Sequence, residues 1–439
     1  MLRRRQMLRA SAGLLAAPAI VSRANAQSAF DWKRFKGTAI EVNLTKSPLA
    51  DVLQAKEAEF TALTGIKVGS EQIPEQQQRP KVAIEFASGH TSFDVVHVAL
   101  HVQKKLIEKG HWMADLKPMI ADKTLTGPEY DFADFGGPGI KAATAPDGTQ
   151  HTIPIKQDLW LLFYNKKMFA EAGVALPQTL DEMMAASHAL TNKAKGVYGY
   201  VGRGLKNANL PPYTSILQGW DQLTISADGR TLLTDTPAAI AAAEYYGKLM
   251  RETAPPGSIG FNWNESQTTF SQGRAAMWID GIGFSAPLID KTVSKVAGDV
   301  GYALVPRGPK AQHSDTFIDG IGISRSSKKQ GAAWYYVQWA TGKAMAAEML
   351  RTGSATPARQ STYLDTSIMA KSAFPKEWFE TALACLKIAA PGLPEIVAVT
   401  EFRDTIGVAL TNIIGGADAA TEMKRATEAF KPILAKELT

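Results

Sequence analysis

Two nearly identical stretches hold the side chains best suited to chemistry. Ile279–Ser285 reads IDGIGFS and Ile318–Ser324 reads IDGIGIS. Each places a carboxylate, Asp280 or Asp319, beside a Gly-x-Gly pair that begins at Gly281 or Gly320 and runs on to Gly283 or Gly322. Carboxylates accept hydrogen bonds from hydroxyls, and glycine, lacking a Cβ, lets a ligand come close to backbone amides. The pattern therefore suits a hydrogen-bonding ligand held close to the backbone. Two other chemistries fit the same letters. Gly281, Gly283 and Ala286 have the spacing of a dinucleotide-binding loop. No clear strand ending in an acid follows about twenty residues on, as that fingerprint requires, and the second stretch lacks the third small residue. Asp158, Glu265, Asp280 and Asp319 could supply the paired carboxylates of a glycoside hydrolase.

Other reactive groups are sparse. No G-x-S-x-G elbow is present. His97 and His101 are four apart with His111 near, a spacing that could hold a metal on one helix face. His97 reads as part of a strand and His101 as its loop, so the two need not converge, and neither metal nor cofactor is expected. Cys385 is the single cysteine, which excludes an intrachain disulfide and any zinc site built on two or more thiolates. Its surroundings, TALACLKIAA, read as a helix with the thiol buried. Trp263, Trp278 and Trp220 are aromatic candidates for stacking on a ligand, and Arg359, in the turn ATPAR, is a charged one.

The elements that must position these residues alternate. GTAIEVNLTKS reads as a strand, PLADVLQAKEAEFTALTG as a helix stopped by Gly65, IKVGSEQI as a strand, EQQQRPKVAIEFASG as a helix with an internal proline, and FDVVHVAL as a buried strand. This order implies an α/β chain with a mostly parallel sheet flanked by helices. The chain has 439 residues, 45% hydrophobic and 21% charged, enough for two large lobes. Its first 26 residues have a basic start, an apolar middle and Ala24-Asn25-Ala26 at the end, the layout of an export signal cleaved after Ala26. RRQMLR (Arg4 to Arg9) is similar to a twin-arginine signal. That segment holds five arginines and no acid, so the net charge of +6 falls to +1 once it is removed. A nucleic-acid role, which needs a basic face, loses its support.

The order of the pieces resembles the extracellular solute-binding proteins of ABC importers, in particular the carbohydrate-binding group that includes maltose-binding protein. The most specific stretch is PDGTQHTIPIKQDLWLLFYNKKMFAEAGVALPQTLDEM, Pro146 to Met183, which looks like that group's first crossing between lobes. AEFTALTGIKV, FDVV, FSQGRAAMWIDG and TGSATPAR also match its patterns. The resemblance implies a periplasmic-binding-protein-like α/β fold, with two discontinuous lobes, a hinge and a ligand in the cleft between. It implies lobe one from residues 27–154 and 305–350 and lobe two from 155–304 and 351–439, with crossings near Ile153–Lys156 and Val305–Gly308. Asp158, four residues after Pro154, would bind sugar hydroxyls, and Lys46, Ser47, Tyr213 and Phe284 fall where relatives place ligand groups. Asp280, Gly281, Gly283, Asp319, Gly320, Trp263 and Arg359 complete the expected site, with Gln77 and Arg79 facing it. Val98-Ala99-Leu100-His101 stands where relatives often have Trp and then an acid, which disfavours a malto-oligosaccharide. The expected function is periplasmic capture of a sugar or polyol for a membrane permease, by a monomer that closes on its ligand. An exported hydrolase, or a binder of a glycerol-phosphate-like solute, is the alternative.

Overall fold

The computed structural model describes residues 29–437; the export signal lies outside them. Among the described residues nine strands form one sheet: β1 (Ala39–Thr45), β2 (Lys67–Ile73), β3 (Val95–Ala99), β4 (Ile153–Asn165), β5 (Tyr198–Val201), β6 (Ala275–Gly281), β7 (Val300–Ala303), β8 (Ser314–Ile323) and β9 (Ala389–Pro391). The order is β2-β1-β3-β8-β4-β6-β5, with β7 on β4 and β9 on β8. β1 pairs in parallel with β2 and β3, and β5 with β6, while β8 and β4 run antiparallel to their neighbours in this order. Seven helices matter for the site: α1 (Pro48–Thr64), α2 (Glu75–Ser88), α3 (Leu100–Gly110), α4 (Leu210–Leu217), α5 (Trp263–Ser271), α6 (Gln330–Ala340) and α7 (Val399–Ile414).

Local chemistry sets the first of these. Ser47 caps α1 by accepting from the Ala50 amide, Pro48 follows at the first turn, and Gly65 ends the helix at φ 72, a left-handed conformation that glycine adopts without strain. The long run of β4 is apolar without alternation because both of its faces are covered. Leu159, Leu161 and Phe163 enter one core with Trp278 and Trp378, and the intervening Trp160 and Leu162 enter another with Tyr213, Tyr246 and Phe402. The first half of the chain is layered in the same way. Ile40, Val42, Leu44 and Trp334 of α6 pack on one side of the sheet with Val95, and Val96 and Val98 pack on the other with Val82, Phe86 and Ile107.

β4 and β8 belong to both halves. Ile153 and Ile155 lie in the first-half core and Leu159 onward in the second. β4 pairs with β8 through Leu159 and with β6 from Trp160. The second passage runs along β8 itself, later than the expected Val305–Gly308. That segment is held to the second half, where Arg307 pairs with Gln178 and Leu180. A third link passes at Thr356, whose carbonyl accepts from the Gln157 amide.

Candidate functional site

The centre of the molecule is built where β4 and β8 cross. Pro154 has no N–H to give the ladder, and the pairing shifts by a bulge between Pro154 and Lys156, which sets Lys156 opposite Asp319 and Asp158 opposite Phe317. Asp158 is buried. Its Oδ1 accepts from the Gly283 amide at 2.9 Å, and Lys156 Nζ lies 3.8 Å from Oδ2. A Cβ at Gly281 would collide with Asp158 Oδ2, and one at Gly283 would stand 3.1 Å from Oδ1. These two glycines therefore make room for the protein's own carboxylate, which corrects the expectation that they leave space for a ligand.

Asp280 is also corrected. It is fully buried, and both its oxygens are taken up in a two-pronged pair with Arg203, Nε to Oδ2 at 2.8 Å and Nη2 to Oδ1. Its Oδ1 accepts a further bond from the Gly281 amide at 2.8 Å. Burial raises the Asp280 carboxyl above its usual range, and the Arg203 charge offsets part of that rise. Arg203 follows β5 in the run VGRG. Its guanidinium lies over Trp160, 5.0 Å to the ring centre, and over Phe284 at 5.6 Å. Phe284 is half-buried and stacks on the exposed Trp263 at 5.1 Å and 13°.

Asp319 faces these groups from β8. His97 Nε2 is 3.4 Å from its Oδ2 and His101 Nδ1 is 3.8 Å from its Oδ1. Both histidine nitrogens are buried and lack a hydrogen-bond partner among the described residues. Burial alone would raise the Asp319 carboxyl; the charges and contacts of His97, Lys156 and His101 outweigh it and hold the group well below the ordinary range. Burial lowers His101 to about 4, against the opposing pull of Asp319, so its ring is neutral near pH 7. Lys156 loses some basicity to burial, but Asp158, Asp319 and Glu75 more than restore it and it stays charged. His97 and His101 thus converge on a carboxylate. Among the described residues no group of three His, Cys, Asp or Glu is placed to hold a metal.

The rim is charged. Arg79 pairs with Glu75 at 2.8 Å on α2. Arg403 on α7 donates through Nε and Nη2 to the Asn207 carbonyl at 3.2 and 3.0 Å. Burial, and then the nearby positive charge of Arg79, lower Arg403 to about 10. Gln77 is exposed.

Several expected residues stand elsewhere. Tyr213 of α4 is fully buried in the second-half core, and its hydroxyl donates to the Ala239 carbonyl at 3.1 Å. Arg359 is 1% exposed; it bonds Asp134 at 3.1 Å and the carbonyls of Thr341, Tyr130 and Asp131, and lies over Phe135. It ties the third link to the first half. Gly320 faces Thr152, where a Cβ would lie 2.5 Å from Oγ1, so it serves strand packing. Ser47 is spent on the α1 cap, and Lys46 is exposed just beyond β1. Trp278 is a core residue stacked on Phe163, and Trp220 packs against the second-half core. Cys385 is buried, as its helix suggested. Lys156, Arg203, Trp160 and Arg403 were missed. The one available signal was an arginine between two glycines directly after a strand, at Arg203.

A hollow of about 600 Å³ shares His101 but none of the carboxylates just described. Leu100, Pro138, Leu217, Ile225, Ile318 and Leu393 give it a largely apolar lining. Lys104 of α3 spans its two sides, 3.1 Å from both oxygens of Glu395. Recognition of hydroxyls calls for convergent polar groups, so the Asp158–Asp319 cluster is the better candidate site.

This fold recurs in known proteins. Residues 46–347 match the family model described as bacterial extracellular solute-binding protein. The erythritol/L-threitol-binding protein of Mycolicibacterium smegmatis is 27% identical over 90% of this chain and 86% of its own length. An ABC transporter solute-binding protein of Agrobacterium radiobacter K84, solved with ribitol, superposes with a TM-score of 0.80 at 22% identity, over 91% of this chain and 99% of that one. The maltose-bound MalE3 of T. maritima gives 0.78 at 18%, over 90% and 100%. Among the described residues no helix is long and apolar enough to cross a membrane. The chain belongs to the bacterial extracellular solute-binding protein family.

Proposed function

We propose that this protein captures a polyol or small sugar between its two halves and delivers it to the permease of an ABC transporter. The observation that carries this reading is the convergence of Lys156, Asp158, Asp319 and His101 at the crossing strands, with buried His97 and His101 nitrogens that face Asp319 at 3.4 and 3.8 Å without a full hydrogen bond. Hydroxyls both donate and accept, so they can satisfy carboxylates, a neutral imidazole and an ammonium at once. The ligands named for the similar proteins, erythritol, L-threitol and ribitol, agree with that chemistry.

The mechanism is closure of one half on the other. A ligand that touches both halves only in the closed form shifts the population by its differential affinity for that form. The first 26 residues would direct export, by the Sec or the twin-arginine route, with cleavage after Ala26 and a periplasmic monomer as the product. The test is titration of the purified protein with polyols and sugars, followed by tryptophan fluorescence and calorimetry. Asp158→Ala is expected to weaken binding by at least about 1.5 kcal/mol, roughly tenfold. Unchanged affinity would remove Asp158 from the site.

A further inference from the structure

Sugar-ring recognition needs a bare aromatic face, because the C–H side of a pyranose packs flat on it. Beside Asp158, the two aromatic faces nearest the carboxylate, those of Trp160 and Phe284, lie under a cation, and the exposed Trp263 is stacked on Phe284. Arg203 lies 5.0 Å over the Trp160 ring and 5.6 Å over that of Phe284. Trp160 is only 2% exposed, and its remaining aromatic neighbour is Phe317 at 5.5 Å. Phe284 is stacked by Trp263 as well. The cover cannot swing aside. Both prongs of the guanidinium bond Asp280, which is fully buried and would be left as a lone charge. The Arg203 backbone is fixed too, since its carbonyl accepts from the Tyr246 hydroxyl at 2.7 Å.

What the cleft does present is charged and hydrogen-bonding. Lys156 donates, Asp158 and Asp319 accept, and neutral His101 can do either through its two ring nitrogens. A chain of vicinal hydroxyls matches this set, because each hydroxyl donates once and accepts twice and an open chain can bend to meet each partner. A pyranose meets the same groups with a rigid ring whose apolar face would lie on a guanidinium.

We propose that Arg203 is the specificity-determining residue of this cleft and that, by covering Trp160 and Phe284, it selects acyclic polyols over ring sugars. This rests on the reading that the cleft binds a polyol or sugar. The first arm titrates the full chain with erythritol, ribitol and mannitol, and with glucose, galactose and maltose. The expected result is at least one acyclic polyol binding tenfold or more tighter than every ring sugar. A ring sugar binding as tightly as the best polyol overturns the proposal while leaving the solute-capture reading intact. If none of the six binds, both fall.

The second arm removes the cover. The double variant Arg203→Met with Asp280→Asn avoids stranding a charge. It is expected to lose tenfold or more for the best polyol and to gain measurable binding of glucose or galactose. Arg203→Lys keeps the charge beside Asp280 and serves if the double variant fails to fold; it should shift the polyol-to-sugar ratio in the same direction. A merely structural role would lower both classes together, and an unchanged ratio overturns the assignment.

Discussion

The two IDGIG stretches differ in every use the fold makes of them. In the first, at the end of β6, the acid is consumed by the structure: Asp280 is fully buried and bound to Arg203, and its neighbours Gly281 and Gly283 close around Asp158. In the second, inside β8, the acid stays partly exposed in the cleft among His97, His101 and Lys156, and the glycines are consumed, packed against Thr152 and the His151 carbonyl. One motif gives up its carboxylate and turns its glycines toward the site. The other does the reverse. Five identical letters thus fix a steric possibility and not a role. The role is set by which strand lies alongside, β4 past its bulge in the first case and the start of β4 in the second.

The largest effect that tests this contrast is on stability. Asp280→Ala would leave the Arg203 guanidinium, itself buried, without its carboxylate, and breaking a buried pair from one side costs about 3–5 kcal/mol. Asp319→Ala removes a carboxylate that is partly exposed and makes no two-pronged pair, and should cost far less in thermal or denaturant unfolding. Equal losses for the two variants would erase the distinction between structural and functional acid.

The glycines should divide in the opposite sense. Gly320→Ala forces a Cβ to 2.5 Å from Thr152 Oγ1 and 3.1 Å from Leu100 Cδ1, an overpacking expected to cost about 1–3 kcal/mol of stability with ligand affinity little changed. Gly281→Ala drives the Asp158 carboxylate from its place. Its signature should be a tenfold or greater loss of affinity in calorimetry. If Gly320→Ala proved the affinity variant and Gly281→Ala the stability variant, the assignment of the two stretches would be inverted.

A subtler test uses charge. Asp319→Asn keeps the shape and loses the anion, and should weaken polyol binding by about 1.5 kcal/mol. The low carboxyl pKa of Asp319 also has a sign in stability. A carboxylate held below its unfolded value contributes stability that is present above the ordinary range near 3.9 and lost as pH falls below it. Asp319→Asn should therefore flatten the acid limb of the stability curve, read by denaturant midpoints from pH 5 downward.

How much of this could be read from the chain alone follows from distance along the sequence. The strand–helix alternation up to Ala99 and the long β4 run depend on local periodicity and capping, and they stand where the pattern put them. Asp158 was singled out by the family resemblance, four residues after Pro154, and its strand by the apolar run; it lies beside Lys156 and the Gly283 amide. Tyr213 and Arg359 were misplaced because both carry polar tips that suit a cleft equally well as a core. Their partners, the Ala239 carbonyl for one and Asp134 for the other, are unrelated to them in sequence spacing. Arg203 was missed for the same reason. Nothing near it signals that a carboxylate 77 residues away will hold it over two rings.

The smallest expected effect isolates what keeps Asp319 available. Asp280 is bound up by a permanent cation, whereas His101 beside Asp319 is held neutral, its pKa lowered by burial to about 4. In the unfolded chain a histidine titrates near 6.5. Between those values the unfolded state binds a proton that the folded state does not. Stability therefore rises with pH across that window, is fully present above about 6.5, and is lost as pH falls through about 4. His151 is also lowered to about 4, chiefly by burial, and bends the curve the same way. The measurement is thus a difference: wild type and His101→Gln, unfolded in denaturant from pH 7.5 to 4. The gap between them should be constant above pH 6.5 and shift against the wild type by a modest amount below it. Parallel curves across the whole range would mean that His101 takes up its proton as readily folded as unfolded. Asp319 would then face a second cation beside Lys156 and be bound up as fully as Asp280, and the contrast between the two acids would fail at the point where the ligand needs it.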